Sequence, residues 1–348
     1  MRKSIYLLLI IPLTLSAFIH LWNPAGFPPQ DADEGVYIRR ALRVSEGLSP
    51  QEPLSYYDHP YFGQIFLGTL FKIIGYPDLF KPAPNESSIV TLYSVPRVLM
   101  GILAVIDTFL LYRICERRYN RNVAFIGSTL FAVMPITWLL RLVFLDSILL
   151  PFLLASILFA VMIRKSEYDK NKSHRNRYLI LLSAIFLGLA IFIKMPVFTM
   201  IPLIGYLVYR GSNKSFTSLG LWFIPVILLP LIWPAYALYE GNFDKWVDGV
   251  THQAAERQEN HGLYYAVSYF YILDPVLLIL GLGSIGFVSA MKRDPIPLLW
   301  TVPILLFFYI VHFASVFYFI PVFPVFCLAI GIMIEDISKR IAKTKTHA

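Results

Sequence analysis

Apolar residues occur in long blocks along this chain, separated by short polar segments. About 20 consecutive apolar residues are enough for an α-helix to cross the hydrocarbon core of a bilayer. The blocks predict ten helices, at 4–22, 89–112, 122–138, 143–163, 178–193, 196–210, 217–239, 268–290, 296–313 and 316–335. The runs 178–193 and 196–210 are short, so they form either a tight hairpin or one kinked helix. We therefore expect an all-α polytopic membrane protein.

The basic residues follow the alternation of these helices. If the N-terminus lies in the cytoplasm, most of the 30 Lys and Arg residues fall in short segments on the cytoplasmic side, as the positive-inside rule requires. Both termini are then cytoplasmic, and two long loops, at about 23–88 and 240–267, lie on the outer face of the plasma membrane. The first apolar run lacks a convincing cleavage site, so we interpret it as a retained helix rather than a signal peptide.

Composition narrows the function classes further. Hydrophobic residues make up 57% of the chain and charged residues 15%, against roughly 25% charged in soluble domains. The net charge of +8 does not indicate nucleic-acid binding, because the basic residues are spread over the inter-helix segments. The two cysteines predict neither a disulfide framework nor a metal site. We expect a single transmembrane domain over 1–348, with no separate soluble domain.

The first outer loop contains two helical patterns. In 33–46 the apolar residues recur at helical spacing, and 61–76 is a second, more apolar segment. Neither segment spans a bilayer convincingly, so we expect both to lie as helices in the outer interface.

Acidic residues cluster where the first of these helices begins. Asp31, Asp33 and Glu34 come soon after the first apolar run. Acidic side chains at a helix N-terminus have a purely structural explanation, since they cap backbone N–H groups and interact favourably with the helix dipole. The functional alternative is a carboxylate that acts as a general base at the membrane surface.

Further candidate groups lie toward the same side of the membrane. Asp58 and His59, followed by Pro60, suit a metal or phosphate site, although a lone histidine is more often a surface or packing residue. Charges near the outer helix ends are Arg97, Arg141, Asp146, Lys194 and Asp274. Each of them can snorkel to the headgroups, whereas together the cations can hold the phosphate of an anionic lipid.

Other polar residues carry weaker signals. Asp107 lies deeper in its helix, and we assign it no role beyond a buried polar contact. In the second outer loop, His252 and Glu256 are four residues apart and share a face if the segment is helical. We interpret this pair as a solvated helix face rather than a metal site. His261 precedes the pair Tyr264 and Tyr265.

The order of these features resembles the GT-C membrane glycosyltransferases, specifically the protein O-mannosyltransferase and aminoarabinose transferase families. The resemblance covers nearly the whole chain up to Pro324, and it rests on the order of the motifs rather than on any single one. The matching segments are Asp33-Glu34, Asp58-His59-Pro60 with Gly63, Arg97 to Gly101, Pro135 with Arg141 and Asp146, Phe192 to Lys194, His261 to Tyr265, and Tyr318 to Pro324. Tyr61 stands where the family has a second proline.

The resemblance implies a GT-C bundle of about ten transmembrane helices with amphipathic helices in the first outer loop. It implies an enzyme that moves a sugar, with inversion, from a polyprenyl-phosphate donor to a protein, lipid or glycan acceptor on the outer face. The implied roles are catalysis for Asp33 and Glu34, phosphate binding for His59, Arg97, Arg141 and Lys194, and support from Asp58, Asp146 and His261. No cofactor is certain, and a divalent metal ion on Asp58 with His261 stays open.

Two other classes compete with this interpretation. A transporter or lipid flippase is expected to place charges at the bundle midplane, a depth for which Asp107 is the clear candidate. A structural subunit or receptor has no need for carboxylates concentrated at the outer surface. The partners expected for the enzyme are the lipid-linked donor, its acceptor and membrane lipids, with no nucleic acid.

Overall fold

The computed structural model of the protein describes residues 2–52, 55, 57–77, 86–163, 170–256 and 262–345. Within these ranges the chain is helical and contains no β-strand, as the hydrophobic blocks predict. The α-helices are α1 (Arg2–Leu21), α2 (Ala32–Ser45), α3 (Phe62–Ile74), α4 (Glu86–Arg118), α5 (Arg121–Val133), α6 (Leu145–Met162), α7 (Lys170–Ile193), α8 (Ile201–Gly211), α9 (Phe216–Leu228), α10 (Ile232–Tyr239), α11 (Phe243–Thr251), α12 (Leu263–Leu273), α13 (Pro275–Met291), α14 (Ile296–Val311) and α15 (Phe323–Lys345). Three 3-10 segments, Pro135–Arg141, Met195–Met200 and Val316–Val322, and one π-helical turn, His252–Glu256, complete the list.

Each predicted apolar run coincides with a helix or a pair of helices. Five helices of the described part are long and apolar enough to cross a membrane, and two bent pairs raise the number to seven. Shorter apolar helices at Leu8–Leu21, Phe62–Ile74 and Ile296–Val311 add to these. An all-α membrane bundle is therefore confirmed, and its spans are compatible with the predicted number of about ten.

Two of the predicted continuous helices bend by more than 40° at a break. The run 122–138 divides into α5 and a 3-10 segment at an angle of 69°, and 268–290 divides into α12 and α13 at 116°. A proline begins the second member of each pair, Pro135 and Pro275. Proline has no N–H to donate to the preceding turn, and the Asp274 side chain instead caps α13 through the Leu277 N–H at 2.9 Å.

The ambiguous segment 178–210 contains two separate helices. Helix α7 ends at Ile193, Lys194 is extended, and a 3-10 segment leads into α8. Both α7 and α8 pack against α6, which is the most buried of the long helices together with α15. A continuous kinked helix is therefore excluded, and the break places Lys194 at a helix end.

The two predicted helices of the first outer loop are present as α2 and α3, and they pack against each other. Helix α2 buries Tyr37, Ile38 and Ala41 on one face, which agrees with the predicted periodicity. Gly68 permits the close approach, because a Cβ at this position would lie 2.5 Å from the Ala41 carbonyl oxygen. The pair thus forms a fixed cover over one end of the bundle.

Candidate active site

A cavity of about 880 Å³ lies between this cover and the helix ends beneath it. Helix α2 contributes Asp33, and the segment before α3 contributes Asp58 and His59. Asp146, from the first turn of α6, and Lys194, from the break after α7, complete the set of predicted residues. The fold thus collects five of the predicted site residues from four distant segments of the chain.

The N-terminus of α2 is fixed by a capping box. The Asp31 side chain accepts a hydrogen bond from the Asp33 N–H at 2.9 Å, and the Glu34 side chain accepts one from the Asp31 N–H at 3.0 Å. Such reciprocal caps satisfy backbone donors that the helix cannot pair internally. The structural explanation of the acidic cluster therefore applies to Asp31 and Glu34, while the Asp33 side chain is exposed and lines the cavity.

Glu34 and Arg97 form a fully buried ion pair rather than part of the cavity wall. Both side chains are 0% exposed, and Arg97 donates to the Glu34 carboxylate at 2.5 and 2.9 Å. Glu34 also accepts the Val143 N–H at 3.0 Å. The remaining Arg97 donors reach the carbonyls of Pro24, Pro28 and Pro29. Arg97 therefore connects α4 to the segment between α1 and α2.

Arg141 has a similar position. It lies at the end of the 3-10 segment after α5, is 3% exposed, and donates to the carbonyls of Trp22 and Asn23. Neither Arg97 nor Arg141 lines the described cavity. Both were predicted to bind the donor phosphate, and the structure instead directs their guanidinium groups to the backbone that follows α1.

Lys194 and Asp146 form the floor of the cavity. The Lys194 Nζ donates to Asp146 Oδ2 at 2.5 Å, and both side chains are 6% exposed. The ammonium also lies 4.0 Å from the centre of the Tyr318 ring, a cation–π contact. An ammonium group has three donor hydrogens, so a bound anion can still accept a hydrogen bond from Lys194.

A chain of ion pairs forms the wall near α2. Arg40 donates to both Asp58 oxygens at 2.9 and 3.0 Å, and Arg39 donates to Glu52 at 2.6 and 2.9 Å. The hydrogen bond from Arg39, with further attraction from Arg40, holds the pKa of Glu52 below its usual value, against an opposing effect of burial. The Asp58 carboxylate also accepts the His59 N–H at 3.0 Å. Asp58 therefore forms an ion pair with the Arg40 guanidinium.

The possible metal pair is only half described, because His261 lies outside the described residues. Among the residues that the structure describes, no group of three His, Cys, Asp or Glu side chains is arranged to hold a metal ion. Arg40 already binds both oxygens of Asp58, so a metal ion at Asp58 would share this carboxylate with a guanidinium.

Several cavity residues were not predicted. They include Tyr37 and Arg40 on α2 and Tyr318 in the last 3-10 segment. Burial raises the pKa of the Tyr37 hydroxyl well above its usual value, and the nearby carboxylates of Asp33, Asp146 and Asp58 add to the effect. His252, half-buried in the π-helical turn after α11, also lines the cavity. Asp274 is buried at the α13 N-terminus, away from this wall.

The comparisons with known proteins agree with the GT-C fold. The family model described as dolichyl-phosphate-mannose-protein mannosyltransferase matches residues 92–237, which is less than half of the chain. A search of curated proteins gave no match.

Solved structures match over almost the whole chain. ArnT from Cupriavidus metallidurans, in the apo state, superposes with a TM-score of 0.68 at 13% identity, over 95% of this chain and 59% of that protein. The same protein bound to undecaprenyl phosphate gives a TM-score of 0.65 at 13% identity, with the same coverage. The oligosaccharyltransferase of Archaeoglobus fulgidus in its apo form gives 0.60 at 14% identity, over 99% of this chain and 52% of that one. The chain thus spans little more than half the length of these relatives. The superpositions confirm the predicted GT-C fold.

Proposed function

We propose that the protein is an integral-membrane glycosyltransferase that uses a polyprenyl-phosphate-linked sugar as donor. The observation that carries the proposal is the convergence of the Asp33 carboxylate and the Lys194 ammonium in one cavity of a GT-C bundle. Two similar structures support the lipid-phosphate class, namely ArnT bound to undecaprenyl phosphate and the Archaeoglobus fulgidus enzyme AglB in complex with an inhibitory peptide and a dolichol-phosphate.

In this proposal Asp33 is the general base. It accepts the proton of an acceptor hydroxyl, whose oxygen forms a bond to the anomeric carbon. The bond between that carbon and the phosphate oxygen breaks, and its electron pair leaves with the polyprenyl phosphate. Attack opposite to the leaving group inverts the anomeric configuration. A positioned general base contributes about 10²–10⁴ in rate, which sets the expected effect of its removal.

Lys194 and His59 stabilise the leaving phosphate. Negative charge develops on the phosphate as the glycosidic bond breaks, and a cation held in advance stabilises such charge without reorganisation. Asp146 and Tyr318 hold the Lys194 ammonium in place from two sides. Glu34, Arg97 and Arg141 have a supporting role, since they fix the backbone that presents Asp33 rather than contacting the donor.

Donor turnover tests the proposal directly. The full chain, purified and reconstituted in liposomes, is incubated with a panel of polyprenyl-phosphate sugars and candidate protein, lipid and glycan acceptors. We expect one donor class to release polyprenyl phosphate and to give a product of inverted anomeric configuration. A product of retained configuration would contradict the base mechanism, and lack of release from every donor would contradict the donor class.

A transporter or flippase is the competing function, and one observation favours it. Asp107 of α4 is fully buried, and neither of its carboxylate oxygens has a hydrogen-bond partner among the described residues. Ionisable groups deep in a bilayer often mark transport pathways. Transbilayer movement of a labelled polyprenyl-phosphate lipid in the same liposomes, blocked by Asp107→Asn while sugar transfer stays absent, would favour the flippase.

The proposed orientation places the cavity on the outer face of the plasma membrane. Tyr264, at the start of α12 near the cavity, is 86% exposed, and Arg177 of α7 is exposed toward the other end of the bundle. Both native cysteines are buried, so Tyr264→Cys and Arg177→Cys can be compared in intact cells. We expect a membrane-impermeant maleimide to label only the first, and labelling of only the second would reverse the topology.

A further inference from the structure

A second cavity, of about 790 Å³, lies at the end of the bundle opposite to the candidate active site. Arg97 contacts the first loop and Arg117 lines the second cavity, and both belong to α4. The roughly 20 residues between them correspond to about 30 Å of helix, which is the thickness of the hydrocarbon core of a bilayer. The second cavity is therefore at the level of the headgroups of the opposite leaflet.

Four cations and two carboxylates surround this cavity. Arg113 and Arg117 come from the end of α4, Arg121 from the start of α5, and Lys339 from α15. Glu116 binds Arg113 at 2.5 Å and Arg121 at 3.4 Å, and Glu335 binds Lys339 at 2.5 Å. Within the described residues no carboxylate pairs with Arg117. The carboxylates thus orient the cations but leave an excess of positive charge in the cavity.

An apolar stripe leads along α4 to these cations. Ile102, Ile106 and Phe109 are exposed, and their spacing of four and three residues places them on one face of the helix. The same spacing continues to Arg113 and Arg117, so the stripe and the two cations share that face. A ligand that fits both features has an apolar chain and an anionic head.

We propose that this cavity binds the headgroup of an anionic phospholipid, with an acyl chain along the α4 stripe. Basic pockets between transmembrane helices suit such headgroups, and guanidinium groups bind phosphate through paired hydrogen bonds. A soluble anion would use the cations but not the stripe. The proposal is independent of the proposed catalytic function, because none of these residues lines the active-site cavity.

Lipid retention by the purified full-length protein tests the proposal. Native mass spectrometry compares phosphatidylglycerol with phosphatidylcholine of the same acyl chains, for the unaltered protein and for Arg117→Gln/Arg121→Gln. A cation near anionic lipid contributes about a fivefold factor in binding, so we expect the double variant to lose about 25-fold in phosphatidylglycerol affinity. Arg117→Lys/Arg121→Lys keeps the charge and is expected to retain most of the binding.

The matched control is Arg177→Gln/Lys343→Gln, which removes two exposed cations that lie outside the cavity. We expect this control to bind phosphatidylglycerol as the unaltered protein does. Equal binding of the two lipids, or an equal loss in the control, would overturn the proposal. Displacement of phosphatidylglycerol by millimolar inorganic phosphate would also overturn it, because the site would then take a soluble anion. Thermal unfolding without lipid checks that each variant is folded.

Discussion

Arg97→Leu is expected to destabilise the protein strongly, because it leaves the Glu34 carboxylate buried without its counter-ion. Both side chains are 0% exposed, and Glu34 would keep only the N–H groups of Asp31 and Val143. Removal of one partner from a buried ion pair costs about 3–5 kcal/mol. The carbonyls of three prolines would lose a donor in addition.

Arg39→Leu, on α2, is the matched control. It also removes an arginine paired with a glutamate, but the Arg39 side chain is 60% exposed, and such pairs contribute about 0–1 kcal/mol. Thermal and urea-induced unfolding of the purified variants in detergent measures both changes. The double variant Glu34→Gln/Arg97→Leu should be less destabilised than Arg97→Leu, since it contains no isolated charge. If Arg97→Leu and Arg39→Leu destabilise equally, the assignment of the buried pair is refuted.

Three further predictions follow from packing and charge. Gly68→Ala should destabilise the cover, since its Cβ would lie 2.5 Å from the Ala41 carbonyl oxygen. A Cβ at Gly220 meets nothing within 4 Å, so Gly220→Ala should stabilise α9 by about 0.5–1 kcal/mol. Unfolding in detergent compares the two variants. Lys194→Met should abolish sugar transfer and destabilise the fold. The double variant Lys194→Met/Asp146→Asn should recover stability but not sugar transfer. Recovery of sugar transfer would exclude Lys194 from the phosphate site. Glu52 has a lowered pKa in the folded protein, so its ionised form stabilises the fold at pH values above its unfolded pKa of about 4.3, and this contribution is lost as the pH falls below that value. The difference in unfolding free energy between the unaltered protein and Glu52→Gln, measured from pH 7 downward, should therefore decrease. A difference that stays constant with pH would contradict the assignment.

Most of the fold could be predicted from the hydrophobic blocks of the sequence. Ten apolar runs and the periodicity of 33–46 were sufficient to predict the helices and the cover helix α2, because burial in a bilayer or against a core imposes these patterns directly. The breaks at Pro135 and Pro275 were missed, since a proline inside an apolar run either kinks a helix or ends it. Which of the two occurs depends on tertiary contacts, such as the cap that Asp274 provides.

Five of the predicted site residues line the cavity, and the positions of Arg97 and Arg141 outside it have a common cause. The sequence places Arg97, Arg141 and Lys194 alike near the outer ends of helices. It does not distinguish a cation that faces a cavity from one that binds backbone carbonyls. One available signal was the series Pro24, Pro28 and Pro29. Their segment cannot form regular helical hydrogen bonds, so its carbonyls need donors from elsewhere, and Arg97 supplies them.

Residues that converge only through tertiary structure were missed. Tyr37 and Arg40 looked like ordinary members of an amphipathic helix, and His252 looked like a solvated residue. Their common position at the cavity depends on how α2 and the segment after α11 lie over the helix ends. The spacing of these residues along the chain does not predict that arrangement.

The central claim is that the Asp33 carboxylate is the general base of sugar transfer, and the comparison of Asp33→Asn with Asp31→Asn tests it most directly. Both variants remove one charge from the cavity wall. Asn replaces Asp well at a helix N-cap, so Asp31→Asn should keep α2 intact and retain most of the activity. With saturating lipid-linked donor, Asp33→Asn should lower the rate of transfer by about 10²–10⁴ while unfolding stays unchanged. Full activity of Asp33→Asn, or an equal loss in Asp31→Asn, would contradict the account.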